Sequence, residues 1–259
     1  MKVLILDTAA QAADRTAGLI AEQLAARPAS VLGLATGGTM VPVYRALRAM
    51  VAAGQVSFAR ATTFNLDEYL GLSPDHPHSY RATMQAELFD HVDIDLARTH
   101  LPIGNAPDPQ AEADRYEAAI ASHGGIDLQL LGIGQNGHIG FNEPTSSLTS
   151  RTRIKTLTRD TLEANARYFP DGDMPRYALT MGVGTIMDAR HCLLLATGAA
   201  KAEAVAAMVE GPITAACPAS ILQMHRHATV VLDRAAAARL ELLGYYVHVH
   251  PNGEMPDLG

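Results

Sequence analysis

The chain has no tryptophan, two cysteines in 259 residues and no surplus of basic charge. Each scarcity removes a class of function. Cys192 and Cys217 have no metal-type spacing around them, argue against a disulfide framework, and read as buried thiols of a protein kept in the cytoplasm. A net charge of −7, from 20 basic and 27 acidic residues, leaves no broad cationic face for a nucleic acid or an anionic membrane, so any bound anion must be held by a local cradle. Met1 to Asp7 read as a first strand, too short for a signal peptide or a membrane span. His-Glu-x-x-His, Cys-x-x-Cys and Gly-x-Ser-x-Gly are missing, and the histidine pair His248-Val249-His250 sits in a tail. Metal and serine-nucleophile chemistry therefore have no recognisable motif, and no cofactor is expected.

What the sequence does have is apolar runs that end in glycine or in polar loops. Lys2 to Leu6, Val31 to Ala35, Ala61 to Leu66, Ile126 to Ile133, Tyr177 to Met181, His191 to Thr197 and Ala228 to Leu232 read as strands, most followed by a helical pattern. Asp7 or Thr8 caps a first helix with Ala13, Ala17, Ile20 and Leu24 on its apolar face. Pro42 opens a second helix and Gly54 ends it; Ser79 caps a third carrying Tyr80, Met84 and Leu88. Residues 92–110 read as a polar connection, Thr158 to Tyr168 as a helix, and the alanine-rich stretch after Leu232 as a last helix, with a peripheral tail over 245–259. At least six strands alternating with helices predict one domain over 1–259: a doubly wound, Rossmann-like three-layer α/β/α sandwich around a mainly parallel sheet.

In such a sheet ligands bind outside the carboxyl ends of the strands, and three loops should meet there. The strand ending at Ile133 runs into a glycine-rich loop that offers an amide, an imidazole and a carboxylate, Asn136, His138 and Glu143, within eight positions. Those are the parts of a general acid/base site. Thr36-Gly37-Gly38-Thr39, between a strand and a helix, reads either as a phosphate cradle or as a plain tight turn; it lacks the lysine of a P-loop. Asp67-Glu68 reads locally as a solvated turn, yet emerges at the same sheet edge. Lys201 in a helix first turn opposes the helix dipole, which a bound anion would offset. Arg151, Arg153 and Lys155 on an extended segment would face an anion, an adjoining subunit or solvent. The chemistry that fits is cofactor-free proton transfer, with Asp67 moving a proton between adjacent carbons, His138 serving a ring hydroxyl, and residues 36–39 with Lys201 fixing the substrate's far end.

The blocks Leu34-Ala35-Thr36-Gly37-Gly38-Thr39, Phe64-Asn65-Leu66-Asp67-Glu68-Tyr69, Gly134-Gln135-Asn136-Gly137-His138-Ile139-Gly140-Phe141-Asn142-Glu143-Pro144 and Ala164-Asn165-Ala166-Arg167-Tyr168-Phe169 resemble, together and in order, the glucosamine-6-phosphate deaminases. The similarity runs to about residue 232; each block alone would indicate only the wider group that includes 6-phosphogluconolactonases and sugar-phosphate isomerases. The resemblance implies ring opening of glucosamine 6-phosphate, aldose-to-ketose isomerisation and loss of ammonia to give fructose 6-phosphate, in amino-sugar catabolism. It also assigns roles: Asp67 as proton acceptor at C2, His138 as ring-opening base with Asn136 and Glu143 assisting, and Thr36, Gly37, Gly38, Thr39, Gly137, Arg167 and Lys201 as substrate ligands. Ser146, Arg153 and Lys155 resemble the inter-subunit effector site of hexameric members activated by N-acetylglucosamine 6-phosphate, which implies a homo-oligomer. The C-terminal region that completes that site is not recognisable. Residues 145–175 would form a lid. Some members carry aspartate where this chain has Asn136, so Glu143 alone must supply charge beside His138. A deaminase for the galacto epimer, or a sugar-phosphate sensor without turnover, would share the same motifs.

Overall fold

Strands buried at every position, such as Val31–Leu34 and Leu128–Leu131, need cover on both faces, which is the condition of a parallel sheet. The computed structural model describes residues 1–170 and 172–254. Its main sheet has seven strands: β1 (Lys2–Leu6), β2 (Val31–Leu34), β3 (Thr62–Asn65), β5 (Thr99–His100), β6 (Leu128–Leu131), β9 (His191–Ala196) and β10 (Ala228–Asp233). They lie in the order β1-β10-β9-β6-β2-β3-β5, and every pairing is parallel. Leu4, Leu32, Leu130, Leu194 and Val231 are fully buried in one continuous core. The flanking helices start where their caps dictate. Thr8 forms a reciprocal capping box with Gln11 at the head of α1 (Ala9–Ala26), α2 (Val41–Ala52) carries Pro42 in its first turn, and Ser79 accepts from the Ala82 amide to open α3 (Tyr80–Glu87).

The direction of winding reverses between β2 and β6. From β2 the chain steps outward through β3 to β5, then crosses back to β6 on the other side of β2 and steps outward again through β9 to β10. A switch point of this kind leaves a crevice at the carboxyl ends of its two central strands. The segments that leave those ends are 35–39 and 132–144, so the topology delivers two of the three expected loops to one place.

The structure departs from the sequence reading in five places. The segment read as a solvated turn is a strand, β4 (Asp67–Tyr69), with Asp67 and Glu68 both buried. It belongs to a second sheet of three antiparallel strands, ordered β4-β8-β7, with β7 (Arg153–Thr156) and β8 (Tyr177–Thr180). Tyr177 to Met181 reads as one more strand-helix unit, but the strand stands between β4 and β7 and runs antiparallel to both. The alanine-rich stretch after β10 is a run of turns in place of a helix, since Asp233 ties the Ala236 amide to its side chain and Ala236, Ala237 and Leu240 must all be buried within a few residues. Helix propensity is a weak prior against such a tertiary demand. The presumed peripheral tail, as far as it is described, forms α8 (Leu243–Val249) packed along β1, with Gly253 against the Leu6 side chain; residues 255–259 lie outside the described residues. Two-residue β5 at the sheet edge comes from the segment read as a connection.

Candidate active site

The loop after β6 folds around one imidazole. His138 lies so close over Gly134 that a Cβ there would sit 2.3 Å from the ring's Cε1, so position 134 excludes any side chain. The His138 Nδ1 is 3.2 Å from Oε2 of Glu143, the same oxygen that accepts 2.8 Å from the Asn136 amide nitrogen. The other oxygen, Oε1, accepts from the Thr161 hydroxyl at 2.5 Å and the Thr158 amide at 3.3 Å. Burial alone would raise the Glu143 acid; the hydrogen bond and charge of His138, then Thr161 and Asn136, outweigh it and hold the carboxyl at about 2. A carboxylate only accepts, so His138 must present Nδ1–H to it and keep its Nε2 lone pair free for a substrate proton.

Asp67 is the contrasting acid. Burial first, and the neighbouring Glu68 charge second, push its carboxyl up to about 8, against the pull of the Phe141 amide and the Thr180 hydroxyl. It comes to the His138 loop directly: a Cβ on Gly140 would lie 3.4 Å from Asp67 Oδ2 and 3.1 Å from Thr180 Oγ1. Glu68, the other member of the pair, accepts from the amides of Tyr69, Tyr80 and Arg81 and so caps the start of α3. Its task is structural.

The third loop lies alongside. Gly37 adopts φ +121°, a conformation that favours glycine, and Gly37 and Gly38 are exposed ahead of α2. The Tyr168 hydroxyl lies 3.4 Å from where a Gly38 Cβ would be, and Arg167 donates to that hydroxyl at 2.9 Å with its guanidinium over the ring. Lys201, at the turn after β9, is pulled down by burial and then by the Arg167 charge, which places two cations together; among the described residues neither is ion-paired. Two neighbouring cations without an ion pair, one of them joined through Tyr168 to an exposed glycine turn, have the chemistry that an anion cradle needs. Gly137, another residue singled out in the sequence, uses its backbone within the protein: its N–H bonds to the Gly134 carbonyl and its own carbonyl accepts from Ala219.

Residues that sequence reasoning missed join these loops. Thr36 hydrogen-bonds Tyr80, whose hydroxyl donates to Tyr69 at 3.2 Å, and Asn165 donates to the same Tyr69 oxygen at 3.1 Å. Thr158, Thr161 and Thr180 are likewise absent from the sequence reading. Thr158 caps the helix that follows it, and only the fold shows that Thr161, three residues on, bonds Glu143. Of the candidate effector residues, Ser146 is buried with no partner for its hydroxyl among the described residues, Lys155 is pulled down by burial and by the Arg153 charge, and Arg153 donates to Asn142 at 2.7 Å.

A family model described as glucosamine-6-phosphate isomerases/6-phosphogluconolactonase matches residues 6–231. The chain belongs to this family. Among its curated relatives in the glucosamine-6-phosphate isomerase/6-phosphogluconolactonase family, the glucosamine-6-phosphate deaminase of Shewanella loihica is 55% identical over 256 residues, covering 98% of this chain and 96% of the relative. That of Cellvibrio japonicus is 55% identical over 250 residues, covering 96% and 95%. Among solved structures, a monomeric glucosamine-6-phosphate deaminase superposes with a TM-score of 0.90 at 47% identity, covering 92% of this chain and all of that one (100%). The 6-phosphogluconolactonase of Trypanosoma brucei shares the fold alone, with a TM-score of 0.72 at 20% identity over 92% of this chain and 98% of that one. No helix of the described residues is long and apolar enough to cross a membrane.

Proposed function

We propose that the protein hydrolytically deaminates glucosamine 6-phosphate to fructose 6-phosphate and ammonia, in the cytoplasm, as a step of amino-sugar catabolism. The observation that carries the reading is the pairing of two unlike acids on one loop: Asp67, held near 8, against Gly140, and Glu143, held near 2, on His138. Acids pushed apart in this way serve different steps. His138 Nε2 takes the proton of the anomeric hydroxyl and passes it to O5 as the ring opens to the aldehyde. Asp67 then removes the hydrogen on C2 while the neighbouring ammonium gives a proton to O1, and Asp67 returns its proton to C1 of the resulting enolamine. This gives the C2 iminium, which adds water and expels ammonia; one water is consumed for each ammonia released. The substrate's own ammonium offsets the burial of Asp67 and draws its proton off on binding. The 36–39 turn, Arg167 and Lys201 hold the phosphate and align C1 and C2 with Asp67. Gly137 shapes the loop beside the substrate, its N–H held by the Gly134 carbonyl.

A coupled assay for ammonia tests this with glucosamine 6-phosphate and its galacto epimer. The gluco sugar should turn over and Asp67→Asn should lose at least about 10³-fold in kcat with sugar-phosphate binding retained. A near-parental rate in that variant refutes the assigned role, and preference for the epimer refutes the substrate. Binding of the sugar phosphate with no ammonia released would make the protein a sensor. Movement of residues 145–175 as a lid, assembly into a homo-oligomer and effector control through Ser146, Arg153 and Lys155 belong to the same proposal. Sigmoidal kinetics abolished by N-acetylglucosamine 6-phosphate would support that control, and hyperbolic kinetics indifferent to it would remove it. The monomeric relative weighs against any need for assembly.

A further inference from the structure

Three consecutive loop residues lie across three consecutive strands. In the small sheet Thr180 of β8 stands opposite both Asp67 of β4 and Arg153 of β7, so the three side chains share one rung and one face. Against that rung lie Gly140, Phe141 and Asn142 in turn. Gly140 abuts Asp67 Oδ2, the Phe141 amide donates to Thr180 Oγ1 at 3.1 Å, and Asn142 Oδ1 accepts from Arg153 at 2.7 Å. Asn142 is fully buried and spends its whole amide there, its nitrogen donating to Ile139 O at 2.9 Å and to Met181 O at 2.8 Å. It is also the residue immediately before Glu143. The bond from Arg153 satisfies the one acceptor that would otherwise be left buried and unpaired, at the end of the rung farthest from Asp67.

From this register we infer that Arg153 is a positioning residue for the proposed proton transfers: by holding Asn142 it fixes the distance and orientation of the His138–Glu143 pair relative to Asp67. The inference rests on the deaminase reading and adds to it a residue that touches no reacting atom. Loss of the guanidinium frees the 139–142 turn to slide along the rung, and displacements of about 1 Å in an aligned site cost on the order of 10²-fold in rate. Charge adds a second, separable signature. Around the His138–Glu143 pair the Lys155 ammonium of β7 acts on Glu143 and Arg153 stands beside that lysine, while Asp67 lies across Gly140 and the Cys217 thiol behind Gly137. Removing one of the two cations favours the imidazolium, so the acid limb of kcat/KM moves to higher pH.

Four variants separate bond from charge. Arg153→Ala and Arg153→Met should lower kcat roughly 10- to 100-fold with KM changed less than about threefold, and guanidinium ion should restore part of the rate in Arg153→Ala. Arg153→Gln, which keeps a donor without charge, should recover kcat but not the pH limb; Arg153→Lys should recover both. The His138 ring titration, followed by NMR, should move in Arg153→Ala, Arg153→Met and Arg153→Gln. That measurement reads the loop whether or not ammonia is released, so it distinguishes failure of this inference from failure of the deaminase reading. Arg153→Met folds more readily than the alanine variant because it keeps the apolar stem. A kcat within twofold of the parent in Arg153→Met with an unmoved His138 titration overturns the inference. So does a loss that appears only when N-acetylglucosamine 6-phosphate is present, which would make Arg153 an effector ligand.

Discussion

The two sheets of this molecule divide the labour. The seven parallel strands are apolar, buried and continuous with one large core, and β9 and β10 read His-Cys-Leu-Leu-Leu-Ala and Ala-Thr-Val-Val-Leu-Asp. The three antiparallel strands are three or four residues long, contain Asp67, Glu68, Arg153 and Lys155, and rest on a small aromatic cluster of Tyr69, Phe141 and Phe169 with a few aliphatic neighbours. The large sheet buries hydrocarbon; the small one buries charge. An acid can be kept near 8 only where the surroundings are fixed firmly enough that it cannot turn outward to water, and that firmness is supplied by the neighbouring frame.

The division can be broken from either side. Leu194→Ala, in a fully buried position of β9, should cost about 2–5 kcal/mol of folding stability and lower the melting temperature by roughly 5–15 °C, while kcat of the folded fraction stays within about twofold of the parent's; a selective loss of activity would mean the frame is not separate from the chemistry. Asp67→Asn should do the reverse. The folded pKa of about 8 lies above the unfolded 3.8, so the stability contributed by this group is fully present below pH 4 and is lost as the pH rises through 8. At pH 7.5 the asparagine variant should therefore be the more stable protein, by roughly 1–3 kcal/mol, and the gain should shrink towards pH 4 in denaturant titrations. A less stable variant at neutral pH would show that Asp67 is not held against its inclination. Thr180→Val sharpens the comparison with a smaller change. It removes one hydrogen bond that holds the Asp67 acid down, so the acid limb governed by Asp67 should move up by about 0.5–1 pH unit, with kcat/KM near neutrality reduced several-fold and stability lowered by about 1–2 kcal/mol as the buried Phe141 amide loses its acceptor.

The same division explains what could be read from the chain. Strands of the large sheet announce themselves as apolar runs, and the caps at Thr8 and Ser79, the turn at 36–39 and the loop at 134–144 carry local signals that the fold preserves. The small sheet carries fewer: β7 and β8 read as extended segments, but β4 is a charged tripeptide, and the joining of the three depends on β8 arriving from 110 positions downstream. Glu68 looks like a partner of Asp67 in sequence and is a helix cap in space. Thr161 and Thr180 act through neighbours that only folding supplies, which is why a threonine in isolation gave no hint.

Glu143 has its two oxygens committed to different parts of the chain, one to the imidazole and one to the threonines at the head of α5 (Arg159–Asn165). Such a carboxylate behaves as a pivot: rotating it to follow one set of partners drags it off the other. Any shift in residues 158–161, fifteen or more positions further along the backbone, therefore reaches His138 as a tilt of the ring, and the two ends of Glu143 keep common time.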